Sequence, residues 1–477
     1  MTDQVTLTID GKQVTVPAGM GLVDAAKTAG IDIPVFCHHP KLEPVGMCRM
    51  CLVEIGRPMR DRATGEIVME NGAPKIQFMP KLETACTNKA EEGMVILSQS
   101  QKARDGQRGT VEFLLTSHPL DCPICDKGGE CPLQNLTMRH GPGKSRFLFD
   151  EKLRLGKRVP LGDLIVLDQE RCIQCARCIR FQDEIVGDAV LGFDDRSRGM
   201  RIITSSEPGF DSVFSGNTSD ICPVGALTTR DFRFEARPWE LESAASICTQ
   251  CPVGCNITLN TRREAKAGGD FVVKRVMPRQ NEEVNEIWIC DKGRFVHHYT
   301  DSKRRLKTPL LKKDGQFTHP SWEEATKVAA DHLKEDLVIL ASGKLANEDL
   351  FNLKSLADQA GGKAYLYSHM AGGDLTTMTG VGEGTNFGMM GAETAIVVVA
   401  SNLYEEAPIW YLRVKQAADR GANLIVLNPR ETKLDRFASH VVRYEYGEEV
   451  KAVQHLSGAK TGDSLSAAQN VVILFGS

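Results

Sequence analysis

Fifteen cysteines lie between Cys37 and Cys290, and the 187 residues that follow contain none. Spacing sorts them into four groups. Cys37, Cys48, Cys51 and Cys86 read C-x10-C-x2-C-x34-C, and His118, Cys122, Cys125 and Cys131 read H-x3-C-x2-C-x5-C. Cys172, Cys175 and Cys178 read C-x2-C-x2-C and are followed, 43 residues on, by Cys222-Pro223. Cys248, Cys251, Cys255 and Cys290 read C-x2-C-x3-C-x34-C. Every cysteine falls in a group, and each group has four ligands once His118 completes the second. Thiolates gathered round a metal hold together segments with little core of their own, so metal binding and folding are coupled in such a chain.

The choice of metal follows from ligand type. Four thiolates bind either common kind of iron–sulfur cluster, and they also suit zinc. A C-x2-C-x2-C run with a distant Cys-Pro is the ferredoxin arrangement. Zinc ribbons instead match two C-x2-C pairs, and no group here has a second pair at ribbon distance. Iron–sulfur is therefore the stronger reading, with zinc as the alternative for each group. A lone histidine is more often a surface or capping residue. The three-residue spacing of His118 from a cysteine triad makes it a ligand here, and imidazole in place of thiolate leaves a cluster less negative. His38-His39 and His297-His298 read as structural neighbours of Cys37 and Cys290.

Composition narrows the class. The 58 basic and 62 acidic side chains leave a net charge of −4, and 42% of residues are hydrophobic. That excludes a disordered, collagen-like or nucleic-acid-coating chain. Met1-Thr2-Asp3-Gln4 is not a basic-then-apolar leader, so the thiols are expected to work in a reducing compartment. The densest apolar run, Ala395–Ala400, is far short of the ~20 residues that span a bilayer.

Local patterns place the groups. Val5–Ile9 and Gln13–Val16 alternate around Asp10-Gly11, which predicts a β-hairpin. Leu22, Ala25, Ala26 and Ala29 line one face of a short helix that Gly30 stops. This is a β-grasp layout, with the first cysteines in the following loop and Gly46 and Gly56 bracketing the Cys48/Cys51 pair. The charged stretch Gly56–Pro80 reads as a surface insertion before Cys86. Near the other end, 336–340, 395–401 and 423–427 read as strands and 409–420 as a helix closed by Gly421, which together argue for a parallel α/β sheet. Gly380-Val-Gly-Glu-Gly384 lacks nucleotide-loop spacing and reads as a loop. Lys303-Arg304-Arg305 and Lys312-Lys313 read as solvated faces.

These residues carry a resemblance. His118-Pro-Leu-Asp-Cys-Pro-Ile-Cys-Asp-Lys-Gly-Gly-Glu-Cys131 resembles the His/Cys3 domain shared by the large iron–sulfur subunit of respiratory complex I, NAD-linked formate dehydrogenases and iron-only hydrogenases. The likeness extends over about 1–236. The formate dehydrogenase and hydrogenase versions usually carry two full C-x2-C-x2-C-x3-C-P runs. Here Gln182 stands at the fourth position of the first run, and the second keeps only Cys222-Pro223. That reduced pattern, with Arg177 and Arg180-Phe181, is similar to complex I, and no cysteine follows Cys290 to hold a hydrogenase's catalytic cluster.

Residues 244–477 resemble the start of molybdopterin oxidoreductases, through Cys248–Cys290, Arg305-Leu-Lys-Thr-Pro-Leu310 and Ser321-Trp-Glu-Glu-Ala325. Ser368-His369 stands where a molybdenum ligand lies in that family's formate dehydrogenases, and Asn428-Pro429-Arg430 replaces an Asp-Pro-Arg. The sequence stops on the strand-like Asn470–Phe475, so the tail reads as degenerate, with no molybdenum expected.

The resemblance implies a multidomain α+β and α/β chain. Its parts are a β-grasp [2Fe–2S] ferredoxin domain over 1–98, a small His/Cys3 [4Fe–4S] domain over 99–150 and a ferredoxin-like [4Fe–4S] domain over 151–236. A [4Fe–4S] domain of molybdopterin oxidoreductase type over 237–300 and a truncated α/β domain over 301–477 follow. It assigns one [2Fe–2S] cluster to the first group and three [4Fe–4S] clusters to the others. It implies an electron-relay subunit of an NADH-quinone oxidoreductase, with no NADH or quinone site of its own. The implied partners are a flavin-containing NADH dehydrogenase subunit, other peripheral-arm subunits and, indirectly, a membrane arm, with no nucleic acid. The implied location is peripheral, on the cytoplasmic side of a bacterial inner membrane. A molybdenum enzyme and a zinc-stabilised scaffold are the competing classes.

Overall fold

The computed structural model describes residues 3–207, 209–333, 337–367 and 386–476. The chain divides into two compact units, Met1–Leu241 and Glu242–Ser477.

The first unit opens with the expected hairpin. Gln4–Ile9 and Lys12–Pro17 pair antiparallel across Asp10-Gly11. Both turn residues lie in the left-handed region, at φ 45° and 80°, the geometry that matches the twist of flanking strands. Alternation sends Leu7 and Ile9 into the core. The Asp10 carboxylate accepts hydrogen bonds from the backbone N–H groups of Ser98 (2.7 Å) and Gln99 (3.3 Å). It thereby anchors Val95–Leu97, which runs parallel to Gln4–Ile9 and antiparallel to Leu52–Pro58. The helix Leu22–Thr28 buries Leu22, Val23, Ala25 and Ala26, and Gly30 at φ 71° turns the chain away.

Two readings change here. Gly56 does not bracket a loop; it lies within the strand Leu52–Pro58. The strand Ile76–Phe78 packs so close to it that a Cβ would stand 2.5 Å from the Ile76 Cγ2. The stretch after Gly56 is thus only partly a surface insertion, because its end supplies this edge strand.

The helix Gln101–Leu115 is capped by the Ser100 hydroxyl, which accepts from the Ala103 N–H. It turns Ala103, Gln107 and Val111 inward at four-residue spacing. The helix Pro132–His140 starts on Cys131 and places proline at its first position. The rest of the unit consists of short elements: Arg177–Arg180 running into a π-helical turn over Phe181–Val186, the hairpin Leu191–Asp194/Arg201–Thr204, and Asn217–Ile221. One continuous core joins them. It contains Phe36, Met50, Val111, Leu133 and Leu167 and also the thiols Cys37, Cys48, Cys175, Cys178 and Cys222, with Cys131 and Cys172 packed against it.

The second unit begins as a three-stranded antiparallel sheet, Glu242–Ile247, Asn256–Arg263 and Phe271–Pro278. The parallel α/β portion follows. His440–Val442, Asn423–Leu427, Thr394–Val399 and Asn470–Phe475 form a four-stranded parallel sheet in that order. The helix Pro408–Asp419 is buried on nearly every face and ends before Gly421, at φ 93°. Val338–Ala341 does not join this sheet; it pairs with Lys363–Leu366 in a separate parallel pair. Ser368-His369 and Gly380–Gly384 lie outside the described residues. The two parts of this unit are tied by a buried ion pair, Arg413 to Glu286 at 3.1 Å, and by Gln416 donating to the same carboxylate at 2.9 Å. The basic runs near 303–305 and 312–313 are exposed, as their composition implied.

Candidate metal centres

The first group forms in the loop after the helix Leu22–Thr28. The Cys37 N–H donates to the Cys48 Sγ at 3.4 Å, the Cys48 N–H donates to the Cys37 Sγ at 3.5 Å, and the Met50 N–H also donates to the Cys48 Sγ at 3.5 Å. The sulfurs of Cys51 and Cys86 are 3.3 Å apart, although 34 residues separate them in sequence. All four are buried. Hydrogen bonds with Cys48 and Cys86 push the Cys37 thiol far below the usual thiol range. The bonds with Cys37 push Cys48 and Cys86 above it. Such a set cannot hold four thiolates unless a cation sits among them.

The third group is seated in the shared core. Gln174 and Ala176 adopt left-handed backbone at φ 57° and 60°, which turns the chain tightly between Cys172 and Cys178. The Gln174 N–H donates to the Cys172 Sγ at 3.4 Å, and the Gln174 side chain is held by the Met200 carbonyl at 2.9 Å. Cys172, Cys175, Cys178 and Cys222 all line one small cavity, whose other walls include Leu167, Ile202, Val224 and Leu227. Burial pushes the Cys172 and Cys175 thiols up to about 12, with neighbouring thiols adding to the effect. Burial likewise raises Cys178 well above its ordinary value. Behind apolar walls these closely spaced thiols stay protonated unless a cationic guest sits among them.

The second group is partly open. Cys122 is exposed, Cys131 half-buried and Cys125 buried. The Cys125 sulfur lies against Gly225, where a Cβ would stand only 2.1 Å from it. Cys131 caps the helix Pro132–His140, whose first N–H groups face its sulfur. The His118 Nδ1 is buried and has no hydrogen-bond partner among the described residues. Burial, then the charges of Lys152 and Arg171, push this imidazole down to about 4. It is therefore neutral near pH 7, with a lone pair free for a metal. Arg237 fixes the triad's backbone by donating to the carbonyls of Cys125 (2.7 Å) and Cys122 (3.0 Å). Behind the loop, the buried Arg171 pairs with Asp121 (2.9 Å) and Asp168 (3.1 Å).

The fourth group lies in the second unit. The Cys248 N–H donates to the Cys255 carbonyl at 2.8 Å, closing the loop between two strands, and Gly254 turns it at φ 65°. Cys290 precedes the helix Asp291–Phe295. A Cβ on Gly293 would lie 3.2 Å from the Cys248 Sγ and 3.9 Å from the Cys290 Sγ, so this glycine floors the gap between the two. Burial pushes Cys290 up to about 12 and also raises Cys248, Cys251 and Cys255.

Within the first unit the third group stands between the other two. Toward the first group, Arg177 donates to the His38 carbonyl at 2.5 Å and to the Ile221 carbonyl at 3.3 Å, while Arg180 donates to the carbonyls of Cys37 and Glu43. Toward the second, the Cys131 Sγ is 3.8 Å from the Pro223 carbonyl, and Gly225 meets Cys125. Sequence reasoning missed Gly225, Gly293, Arg171 and Arg237. Only the position of Gly225, three residues past Cys222, hinted at a role. His38 is buried and faces Asp24 at 3.8 Å, and His297 bonds to the Arg294 carbonyl at 3.0 Å, so both fit the structural reading.

Comparison with known proteins follows the same order of parts. A 2Fe-2S iron-sulfur cluster binding domain matches residues 2–101, and an NADH-ubiquinone oxidoreductase-G iron-sulfur binding region matches 107–146. The ferredoxin-like domain of NADH-quinone oxidoreductase subunit 3 matches 162–228, and an NDSU1/NuoG-like 4Fe-4S domain matches 241–298. A molybdopterin oxidoreductase family matches 305–477.

Among curated relatives, NADH-quinone oxidoreductase subunit 3 of Thermus thermophilus is 43% identical over 69% of this chain and 43% of its own. An NADH-quinone oxidoreductase subunit of Streptomyces coelicolor is 38% identical over 87% of this chain and 49% of its own. The mitochondrial NADH-ubiquinone oxidoreductase 78 kDa subunit of Neurospora crassa is 35% identical over 99% of this chain and 61% of its own. The chain thus spans roughly half the length of the relatives it matches. No helix among the described residues is long and apolar enough to cross a membrane. The chain is a homologue of these NADH-quinone oxidoreductase and 78 kDa NADH-ubiquinone oxidoreductase subunits, with a succession of iron–sulfur domains and a molybdopterin oxidoreductase region after them.

Proposed function

We propose that this chain is an iron–sulfur electron-relay subunit of an NADH-quinone oxidoreductase, respiratory complex I. One observation carries the reading: thiols of three ligand groups share one apolar core, with the third group between the first and second. Cys37, Cys48, Cys51 and Cys86 would hold a [2Fe–2S] cluster. His118 with Cys122, Cys125 and Cys131, then Cys172, Cys175, Cys178 and Cys222, and finally Cys248, Cys251, Cys255 and Cys290 would each hold a [4Fe–4S] cluster. The clusters supply one-electron redox chemistry, taking electrons from a flavin-containing NADH dehydrogenase subunit and passing them toward quinone.

The chain's own residues hold, space and shield. Backbone N–H groups at Met50 and Gln174 donate to sulfur, which stabilises negative charge there. Leu167, Ile202 and Val224 keep water from the third site. Arg177 and Arg180 hold the first and third loops at a fixed separation. The exposed Cys122 makes the second group the one through which a neighbouring subunit is reached. The chain would sit with other peripheral-arm subunits on the cytoplasmic side of a bacterial inner membrane, touching a membrane arm only through them.

The test is anaerobic analysis of iron, labile sulfide, zinc and molybdenum in the purified chain. The reading requires about 14 iron and as much sulfide per chain, without molybdenum. Zinc without sulfide overturns it, and one molybdenum per chain would make the protein a catalytic subunit instead. Cys122→Ser in the assembled complex should cost about four iron and stop transfer between flavin and quinone.

A further inference from the structure

Arg171 immediately precedes Cys172, yet its side chain reaches the loop that carries the second group. Its Nε and Nη2 donate to the Asp121 Oδ2 at 3.1 and 2.9 Å, and Asp121 immediately precedes Cys122. The Asp121 carbonyl in turn accepts from the N–H groups of Ile124 (2.9 Å) and Cys125 (2.8 Å). The Cys122–Cys125 turn is therefore built on the residue that Arg171 grips.

Pairing with carboxylates does not exhaust this side chain. Arg171 is 2% exposed, and its Nη1 is buried with no hydrogen-bond partner among the described residues. Lys157 already reaches the same acids, at 2.7 Å from Asp121 and 3.9 Å from Asp168, and Glu170 besides at 2.6 Å. A buried donor left unmet is costly, so an ion pair alone gives no reason to bury a planar fork with one arm idle. Thiolates that ligate a cluster are negative and accept hydrogen bonds at sulfur. The charge of Arg171 also bears on Cys125 and on His118, both of the second group. On Cys172 the effects beyond burial come instead from the Gln174 N–H and the thiols of Cys175 and Cys222.

We propose that Arg171 is a positioning residue for the second cluster, not for the third, beside which it stands in sequence. It braces the Cys122–Cys125 turn through Asp121. It keeps Nη1 and a fixed positive charge for the ligated thiolates, which makes the second cluster easier to reduce. The inference rests on the reading that His118, Cys122, Cys125 and Cys131 hold a [4Fe–4S] cluster.

The test is anaerobic redox titration of the full chain, followed by electron-spin resonance, for the parent, Arg171→Gln and Arg171→Lys. In Arg171→Gln the reduction equilibrium of the second cluster should fall about tenfold, about 59 mV for one electron, while the third cluster keeps its midpoint. Arg171→Lys should lie between, since lysine returns the charge without the fork. An unchanged second midpoint, or a third midpoint that moves as far, overturns the proposal. If Arg171→Gln loses its clusters, Arg171→Lys decides. A second midpoint below the parent's, or iron lost from the second cluster alone, supports the proposal. A parent-like second midpoint, or iron lost from the third cluster, overturns it. A parent with no cluster signal from the His118–Cys131 group would instead defeat the electron-relay reading, before any substitution is made.

Discussion

Gly225→Ala isolates one packing contact that the second site depends on. The added methyl carbon would stand 2.1 Å from the Cys125 Sγ, 3.4 Å from the Lys127 Cβ and 3.7 Å from its backbone nitrogen. Non-bonded heavy atoms settle at about 3.5–4.0 Å, so the overlap with sulfur is about 1.5 Å or more. Cys125 has little room to retreat: its side chain is buried, and Arg237 holds its carbonyl at 2.7 Å. Gly225 is not in the left-handed region, so the strain is steric rather than conformational. Overpacking of this kind costs about 1–3 kcal/mol if the sulfur stays in place, and it displaces a ligand if the sulfur moves. The expected outcome is a folded chain that loses the second cluster alone, about four of about 14 iron.

Gly293→Ala provides the graded comparison. Its methyl would lie 3.2 Å from the Cys248 Sγ, a shortfall of a few tenths of an ångström, so the fourth cluster should survive. The assay is anaerobic iron and sulfide content with electron-spin spectra for the parent and both variants. Full iron and an unchanged second-cluster signal in Gly225→Ala, or equal losses in the two variants, would falsify the packing argument.

Two further outcomes follow from charge. Arg177→Gln removes a half-buried cation poised between the first and third groups, so both clusters should become harder to reduce, with Arg177→Lys restoring part of the shift. Redox titration followed by electron-spin resonance reads this directly, and unchanged midpoints for both clusters would reduce Arg177 to a purely structural link. In the second unit, Lys274 and then Arg262 hold the Glu264 carboxyl at about 2, below its ordinary 4.5. Because the folded value is depressed, the stabilisation is complete above about pH 4.5 and is lost as pH falls toward about 2. Amide exchange in the strand Asn256–Arg263 should therefore differ between the parent and Glu264→Gln near neutrality, and that difference should close across the same window. A gap that stays constant through it contradicts the assignment.

Sequence by itself determined the four cysteine groupings and most of the elements that carry them. Cys172-x2-Cys175-x2-Cys178, the Asp10-Gly11 turn and the helix stop at Gly421 are written in neighbouring residues, because turn geometry and ligand bite are local properties. Sequence misread Gly56, whose identity follows from the approach of a strand some twenty residues later. Tertiary structure alone decided the order of the sites in the core, and the residues that join them. Arg180 reaches the Cys37 carbonyl across 143 residues, and Arg237 reaches the Cys125 carbonyl across 112. Contacts at such separations leave no periodicity to read. They arise only when thiol-bearing loops with little core of their own are packed into one shared interior, where each buried charge must find a carbonyl or carboxylate close by.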